Sequence, residues 1–446
     1  MPPRISPRAK VTTGIALPLA AALVAAAVVY TGSTAQPTAS GPTATRPTTT
    51  ATHPTDTTTP TTSPPTASPT ATDPTAISVT SSTPTNIPTS SSRRLGASRA
   101  SAAVQPTTSP TTTPPAEDPP VVSPPATPSA TPAQRAAAYV VSQLKDGNHV
   151  EVSYGTDFFP DLGQTSDVAL GLAASNSQTA ALNRVLTYLD TNASAYVHGV
   201  GDGGTPGGDG KSNYAGPTGK LALVAQVTGK DPSSFGGIDL ISELRGLMDN
   251  AGRYRDDSEF GDYSNPLGQA FDILALERGT SVGAPQVAVD YLVTAQCPDG
   301  GFADAFLTAG SPCVSSPDAT GLALQALVAT GAGCPAALAS SWLTKHQAPD
   351  GSFGSDAVDP TKPATGNVNS TAYAALGLTA AGQSTSTIVD YLTAVQNSDG
   401  GLAIQPSIDK TSNVYATAQA LDALAGSSFL TIGRSPIAPA TPACPA

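Results

Sequence analysis

Residues Tyr291 to Phe302 read YLVTAQCPDGGF, and the same design returns as WLTKHQAPDGSF from Trp342 and YLTAVQNSDGGL from Tyr391. Each stretch is an apolar run that ends in Gln-x-x-Asp-Gly, followed by a small residue and an apolar one. Asp-Gly is a turn signal, so each predicts a helix that stops abruptly. Recurrence at a fixed period marks an architecture built by stacking one supersecondary unit.

Downstream of each turn, a second helix is predicted to begin near Asp318, Asn369 or Asn413 and to end at Gly331, Gly382 or Gly426. The segments DATGLALQALVATG, NSTAYAALGLTAAG and NVYATAQALDALAG carry Ala, Leu and Gly on every side. A helix apolar all round is a buried one. The first helix of each pair is therefore expected outside and the second inside. The turn Asp recurs at Asp146, Asp299, Asp350 and Asp399, and the gap from Asp146 to Asp299 is three times the 51-residue step. Two divergent units fill it, one from Arg184 (RVLTYLDTN) to Gly229 and one from Leu240 to Gly279. With AAYVVSQLKDG and QTSDVALGLAAS as the first pair, residues 134–432 predict six helix pairs, an all-α (α/α)6 toroid.

The repeated Gln-x-x-Asp-Gly-Gly-Phe turn resembles the QW motif of squalene-hopene cyclases and the related repeat of protein prenyltransferase β subunits. The resemblance covers about 300 residues. It implies that the Gln ties helix ends together and that the aromatic packs beside it. Phe302 and Phe353 stand where the cyclases have Trp, and Leu402 departs further. The match is thus to the terpenoid cyclase/prenyltransferase superfamily as a whole.

The remainder of the chain is a different material. Arg4, Arg8 and Lys10 precede an apolar run from Val11 to Tyr30, long enough to span a bilayer and with its basic residues on the cytoplasmic side. Ser33-Thr34-Ala35 permits cleavage, so residues 1–35 predict an export signal, either removed or kept as an anchor. Residues 36–133 are Thr, Pro, Ser and Ala with almost no large apolar side chains. Such a chain buries too little surface to offset its entropy and predicts a disordered stalk. Residues 433–446 form a C-terminal tail. Of 21 Lys and Arg and 33 Asp and Glu, seven cations and four acids precede residue 134, leaving 14 against 29 for the remainder. So acidic a domain disfavours nucleic acid and anionic membrane surfaces as partners.

An exported chain with four cysteines predicts disulfides. If outer helices run toward one end of the ring and inner ones return, Cys297 and Cys313 share a turn loop, while Cys334 and Cys444 share the other end. The pairs expected are Cys297 with Cys313 and Cys334 with Cys444.

The reagents that the resemblance implies are missing. There is no Asp-x-Asp-Asp string, the acid of class II terpene cyclases. His149, His198 and His346 have no Asp-x-Cys context for the zinc of prenyltransferases, and the Cys-Gly-Glu-Gln of thioester domains is absent. No cofactor or metal is expected. What the turn loops do carry is polar and aromatic: Tyr154, Asp157, Phe158 and Phe159, then Asn213 and Tyr214, then Tyr254, Asp256, Asp257, Glu259, Asp262 and Tyr263. Asp304, Asp318, Asn369, Tyr373, Asn413 and Tyr415 complete the rim. Alternating aromatics and hydrogen-bonding groups suit a small neutral ligand or carbohydrate. Against this, Asp318, Asn369 and Asn413 stand where inner helices start, and an Asx there is most often an N-cap. The Asp256–Asp262 acids are by default a solvated loop, with Ca²⁺ ligands or a glycosidase-type pair as alternatives. The expectation is a monomeric, exported, non-catalytic binding module for a small molecule, glycan or surface protein. The alternative is an extracellular cyclase-type or carbohydrate-active enzyme.

Overall fold

The computed structural model describes residues 129–199, 212–279, 281–354, 365–434 and 436–444. The expected export signal, residues 1–35, and residues 36–128 of the expected stalk lie outside them. The chain opens on α1 (Pro132–Ser142) and α2 (Leu162–Ser175), then α3 (Thr179–Thr191), the short α4 (Ala193–Val197) and α5 (Ala215–Thr228). Next come α6 (Leu240–Gly246) with α7 (Pro266–Gly279), and α8 (Gln286–Val293) with α9 (Pro317–Thr330). The last pairs are α10 (Gly333–His346) with α11 (Val368–Ala380) and α12 (Ser386–Ala394) with α13 (Val414–Leu424).

Helices α2, α5, α7, α9, α11 and α13 pack in that cyclic order, and α13 returns to α2, so the inner ring is closed. Their Ala, Leu and Gly content is what this position demands, because each is buried all round; in α5 every residue from Ala215 to Val227 is out of water. Close approach is built in: a Cβ at Gly377 would lie 2.5 Å from the Gly321 carbonyl oxygen, so α9 and α11 touch backbone to backbone. The outer helices show the opposite pattern. In α3 the buried residues are Ala181, Val185, Leu186 and Leu189, a one-sided stripe. Each outer helix seats this stripe across its neighbours in the inner ring.

The repeated turn works as a clamp. Asp299 accepts from the Gly301 amide (3.1 Å) and the Ser315 hydroxyl (2.6 Å), and the indole Nε1 of Trp342 in the next outer helix donates to it at 2.9 Å. Gln296 donates to the carbonyls of Gly300 (3.0 Å) and Pro335 (2.9 Å), again joining one unit to the next. In four of the six units a Thr four residues past the cap of the inner helix accepts an amide of the turn loop: Phe302 to Thr320 (2.8 Å), Phe353 to Thr371 (2.9 Å), Leu402 to Thr417 (2.8 Å) and, in the first unit, Val150 to Thr165 (3.1 Å). In the last unit Gln396 donates to Gly400 (2.8 Å) and, across the seam, to the Pro132 carbonyl of α1 (2.9 Å).

Both disulfides are present in the expected pairs, Cys297–Cys313 and Cys334–Cys444. The C-terminal tail closes the end of the ring where inner helices finish. Buried Arg278 donates to the carbonyls of Phe429 (2.7 Å), Leu430 (2.8 Å) and Ile432 (3.0 Å) and to that of Arg434, while Gln325 accepts the Phe429 amide at 2.8 Å. Small antiparallel pairs, β1 (Val150–Tyr154) with β2 (Asp157–Asp161) and β3 (Phe302–Ala303) with β4 (Ser315–Ser316), decorate the other end, the mouth.

Candidate functional site

The capping residues of the inner helices are Asp161, Tyr214, Ser316, Asn367 and Asn413, with Asn265 in the same geometry, its side chain accepting the Gly268 amide at 3.0 Å. Two expected caps are therefore corrected. Asp318 and Asn369 sit two residues inside their helices, capped by Ser316 and Asn367, and only Asn413 caps, accepting the Ala416 amide at 3.0 Å. The terminal glycines misled the alignment, because α13 is two residues shorter than α11. The true counterpart of Asp318 and Asn369 is Tyr415.

Counting six residues from each cap gives Asp167, Lys220, Phe271, Leu322, Tyr373 and Gln419, one level of the ring. They form a belt whose contacts follow the order of the helices. Lys220 Nζ lies 5.5 Å from the centroid of the Phe271 ring and 2.6 Å from Asp167 Oδ1. Gln419 Nε2 donates to Asp167 Oδ2 (3.3 Å) and to the Tyr373 hydroxyl (3.2 Å), and Asn369 Nδ2 donates to Gln419 Oε1 (2.7 Å). The charge of Asp318 reaches Tyr415 from α9, which is not a neighbour of α13, and that of Asp167 reaches it from the adjacent α2, so these groups converge on the axis. Below the belt, Phe429 of the tail packs against Phe271 with centroids 5.8 Å apart and forms the floor.

Electrostatics here follow from burial. Desolvation, reinforced by Asp167, pushes the Asp422 carboxyl well above the carboxylate range, with Lys220 pulling the other way. Desolvation does the same to the hydroxyls of Tyr373 and Tyr415. Asp272, fully buried against α5 where a Cβ on Gly219 would collide with it, is also raised by desolvation and then by Asp256; neither of its oxygens has a hydrogen-bond partner among the described residues. Asp304 touches solvent, yet desolvation raises its carboxyl against a hydrogen bond from Ser316. Solvent contact combined with dense surroundings is the signature of a side chain on a concave wall.

The rim residues divide differently. Asp157 and Phe158 stand exposed on β2, Phe158 at 64%, and Tyr263 is 46% exposed with its hydroxyl on the Phe260 carbonyl at 2.8 Å. The side chain of Tyr154 lies outside the described residues. Tyr214 is buried at 2%, its hydroxyl 3.3 Å from Ser258, so it is a packing residue. Asn213 and Asp257 are brought together by paired backbone bonds of 2.7 and 2.9 Å. The neighbouring acids hold their own loop. Asp256 accepts from Ala215 and Tyr263; Asp262 accepts from Ser264 and pairs with Arg253 and Arg255, each at 3.1 Å. Among the described residues no cluster could hold a metal ion.

Sequence reasoning reached Asp318, Asn369, Tyr373 and Tyr415 but missed Asp167, Lys220, Gln419 and Asp422. Their signal was available: ionisable and amide side chains in the middle of helices that are otherwise Ala and Leu, where burial is costly unless the group has a task.

No family model and no curated protein matches this chain. Solved structures similar to it include a type II terpene cyclase, MstE from Scytonema, bound to geranylgeranyl dihydroxybenzoate (15% identity, 66% of this chain and 96% of that one, TM-score 0.49). A protein from Actinoplanes (16%, 66% and 98%, TM-score 0.48) and a glycosidase in complex with glucose (15%, 66% and 95%, TM-score 0.45) are also similar. The likeness is one of fold, the α/α toroid.

Proposed function

We propose that the chain is an exported toroid that binds a neutral polyhydroxylated ligand, a glycan, in the mouth above the polar belt. The observation that carries this reading is the belt itself. A ring serving only as a spacer is most stable with apolar side chains at that level, as Leu322 is, because an ion pair buried between helices usually costs more than well-packed hydrocarbon. Here Asp167, Lys220, Tyr373 and Gln419 occupy four of the six places, with Asp318, Asn369 and Tyr415 toward the mouth. Fixed donors and acceptors beside aromatic rings are what hydroxyl groups and sugar faces need. The same wall is ill suited to an apolar terpenoid. The two disulfides point to an oxidising, extracellular setting. We infer export through Val11–Tyr30, retained as an anchor or cleaved after Ala35, and a monomer. Among the described residues no helix is long and apolar enough to cross a membrane.

A second reading, turnover of the glycan, has its own support: burial holds the Asp422 carboxyl well above the carboxylate range, within electrostatic reach of the ion-paired Asp167. Two carboxyls in unlike surroundings are the arrangement that acid–base chemistry uses. One experiment addresses both readings. The purified chain is screened on a glycan array, and any glycan retained is incubated with it and followed by mass spectrometry. Binding lost in Asn369→Leu and Gln419→Leu with the glycan intact supports the module. Cleavage abolished by Asp422→Asn supports the enzyme. Retention of no glycan by the folded chain refutes both.

A further inference from the structure

A second concave site lies at the opposite end of the ring, away from the belt. It is a groove of about 480 Å³ between the C-terminal ends of α2 and α5, the first turns of α3 and the tail. Half-buried Ala173 and Leu182 give it an apolar wall over the fully buried Leu172 and Val227, and Lys230 and Arg434 stand exposed on its lip. No Asp or Glu lines it. In a domain with about twice as many acids as bases, two cations without an acid are a local reversal of sign. Asp231, next to Lys230, is engaged elsewhere, accepting from the Ser233 amide (2.9 Å) and hydroxyl (2.7 Å).

Both cations stand near helix C-termini, where they would complement exposed carbonyls. Those carbonyls are already used. The Gly229 and Lys230 amides donate to Gln226 and Ala225, and the Arg434 amide donates to Val227. The α3 end adds donors. Its cap residue Gln178 makes no side-chain capping bond, so the Thr179 amide at the groove has no acceptor among the described residues.

The geometry points to a binding site for an amphipathic anion, with a phosphate or carboxylate head between Lys230, Arg434 and the first turn of α3 and an apolar body against Ala173 and Leu182. Its ligand chemistry is distinct from that of the mouth, and it stands or falls separately.

The test uses the full disulfide-intact chain and three probes, hexyl phosphate, hexanoate and hexanol, followed by isothermal titration and saturation-transfer NMR. At least one anion binds and hexanol binds at least about tenfold more weakly, a charge-assisted pair being lost. Preference between the two anions identifies the head group. Added salt weakens the anion, as expected for exposed cations. Lys230→Gln/Arg434→Gln lowers affinity by roughly a hundredfold and leaves the melting temperature unchanged, since both side chains are exposed; if that variant fails to fold, Lys230→Gln alone shows about tenfold. The proposal is overturned if hexanol binds as well as the anions, if neither anion binds, or if the neutralised variant binds them undiminished.

Discussion

The ion pair between Lys220 and Asp167 carries a sharp quantitative expectation. Side-chain exposures of 11% and 5% and a separation of 2.6 Å place it out of solvent, where removing one partner strands the other charge. Lys220→Met keeps the length of the side chain and its packing over Phe271 while deleting the charge. Stranding a buried charge costs about 3–5 kcal/mol. The ordered part of the chain is about 300 residues, so at roughly 2.1 cal/mol/K per residue its unfolding entropy is about 0.6 kcal/mol/K, and the melting temperature should fall by about 5–8 °C. The companion Asp167→Leu/Lys220→Met removes both charges and should recover most of that loss, because a buried pair is often no better than hydrocarbon of the same volume. Differential scanning calorimetry of the parent chain, Lys220→Met, Asp167→Leu and the double variant closes the cycle. A fall of less than about 2 °C for the single variant would falsify the picture of a desolvated belt, since it would mean that water already screens the pair.

Three further expectations follow from the same geometry. Asp272 has a folded-state pKa raised above its unfolded value, so the folded chain holds the proton more tightly; stability is greatest below the ordinary carboxylate range and declines as pH rises from about 4 toward the raised value, and Asp272→Asn should flatten that decline in a series of melting curves. Gln396→Ala removes the bonds to Gly400 and Pro132 and should cost about 1–3 kcal/mol, read as faster amide hydrogen exchange in α1; exchange confined to the Asn397–Gly400 turn would show that the seam is held by other contacts. Cys444→Ala opens a loop of 110 residues, worth up to about 4.7 kcal/mol by chain entropy, whereas Cys313→Ala opens one of 16, worth about 3; the order of their melting temperatures tests whether loop length governs the two bonds.

The ring was legible because it is written redundantly. The turn Gln recurs as Gln296, Gln347 and Gln396 and the turn Asp as Asp299, Asp350 and Asp399, and bonds from Gln296, Asp299 and Gln396 run between successive units, so the period that reveals the repeat is also the period of its cohesion. The two disulfides followed from the same topology. The belt was hidden for the opposite reason. Asp167, Lys220 and Gln419 share a level of the ring but no residue type, so no repeat comparison aligns them; each appears as a single intruder in an apolar helix. Asp318 and Asn369 read locally as caps, because an Asx near a helix start usually caps it, and only the positions of Ser316 and Asn367 show that the cap is elsewhere. Tyr214 illustrates the reverse error: a loop aromatic that reads as rim is 2% exposed because the chain turns inward there to begin α5.

The seam between α1 and α13 has a consequence for how the molecule is made. Pro132 and Gln396 are 264 residues apart in sequence, so the bond between them, and the packing of α1 on α13, waits for almost the whole chain. Neighbouring units can assemble early, since their contacts are nearly local, but the circle stays a crescent with two apolar flanks until its last helix emerges. Such long-range closure is slow, and the open form is exposed to association meanwhile. The final turn is then the step at which productive folding and aggregation compete.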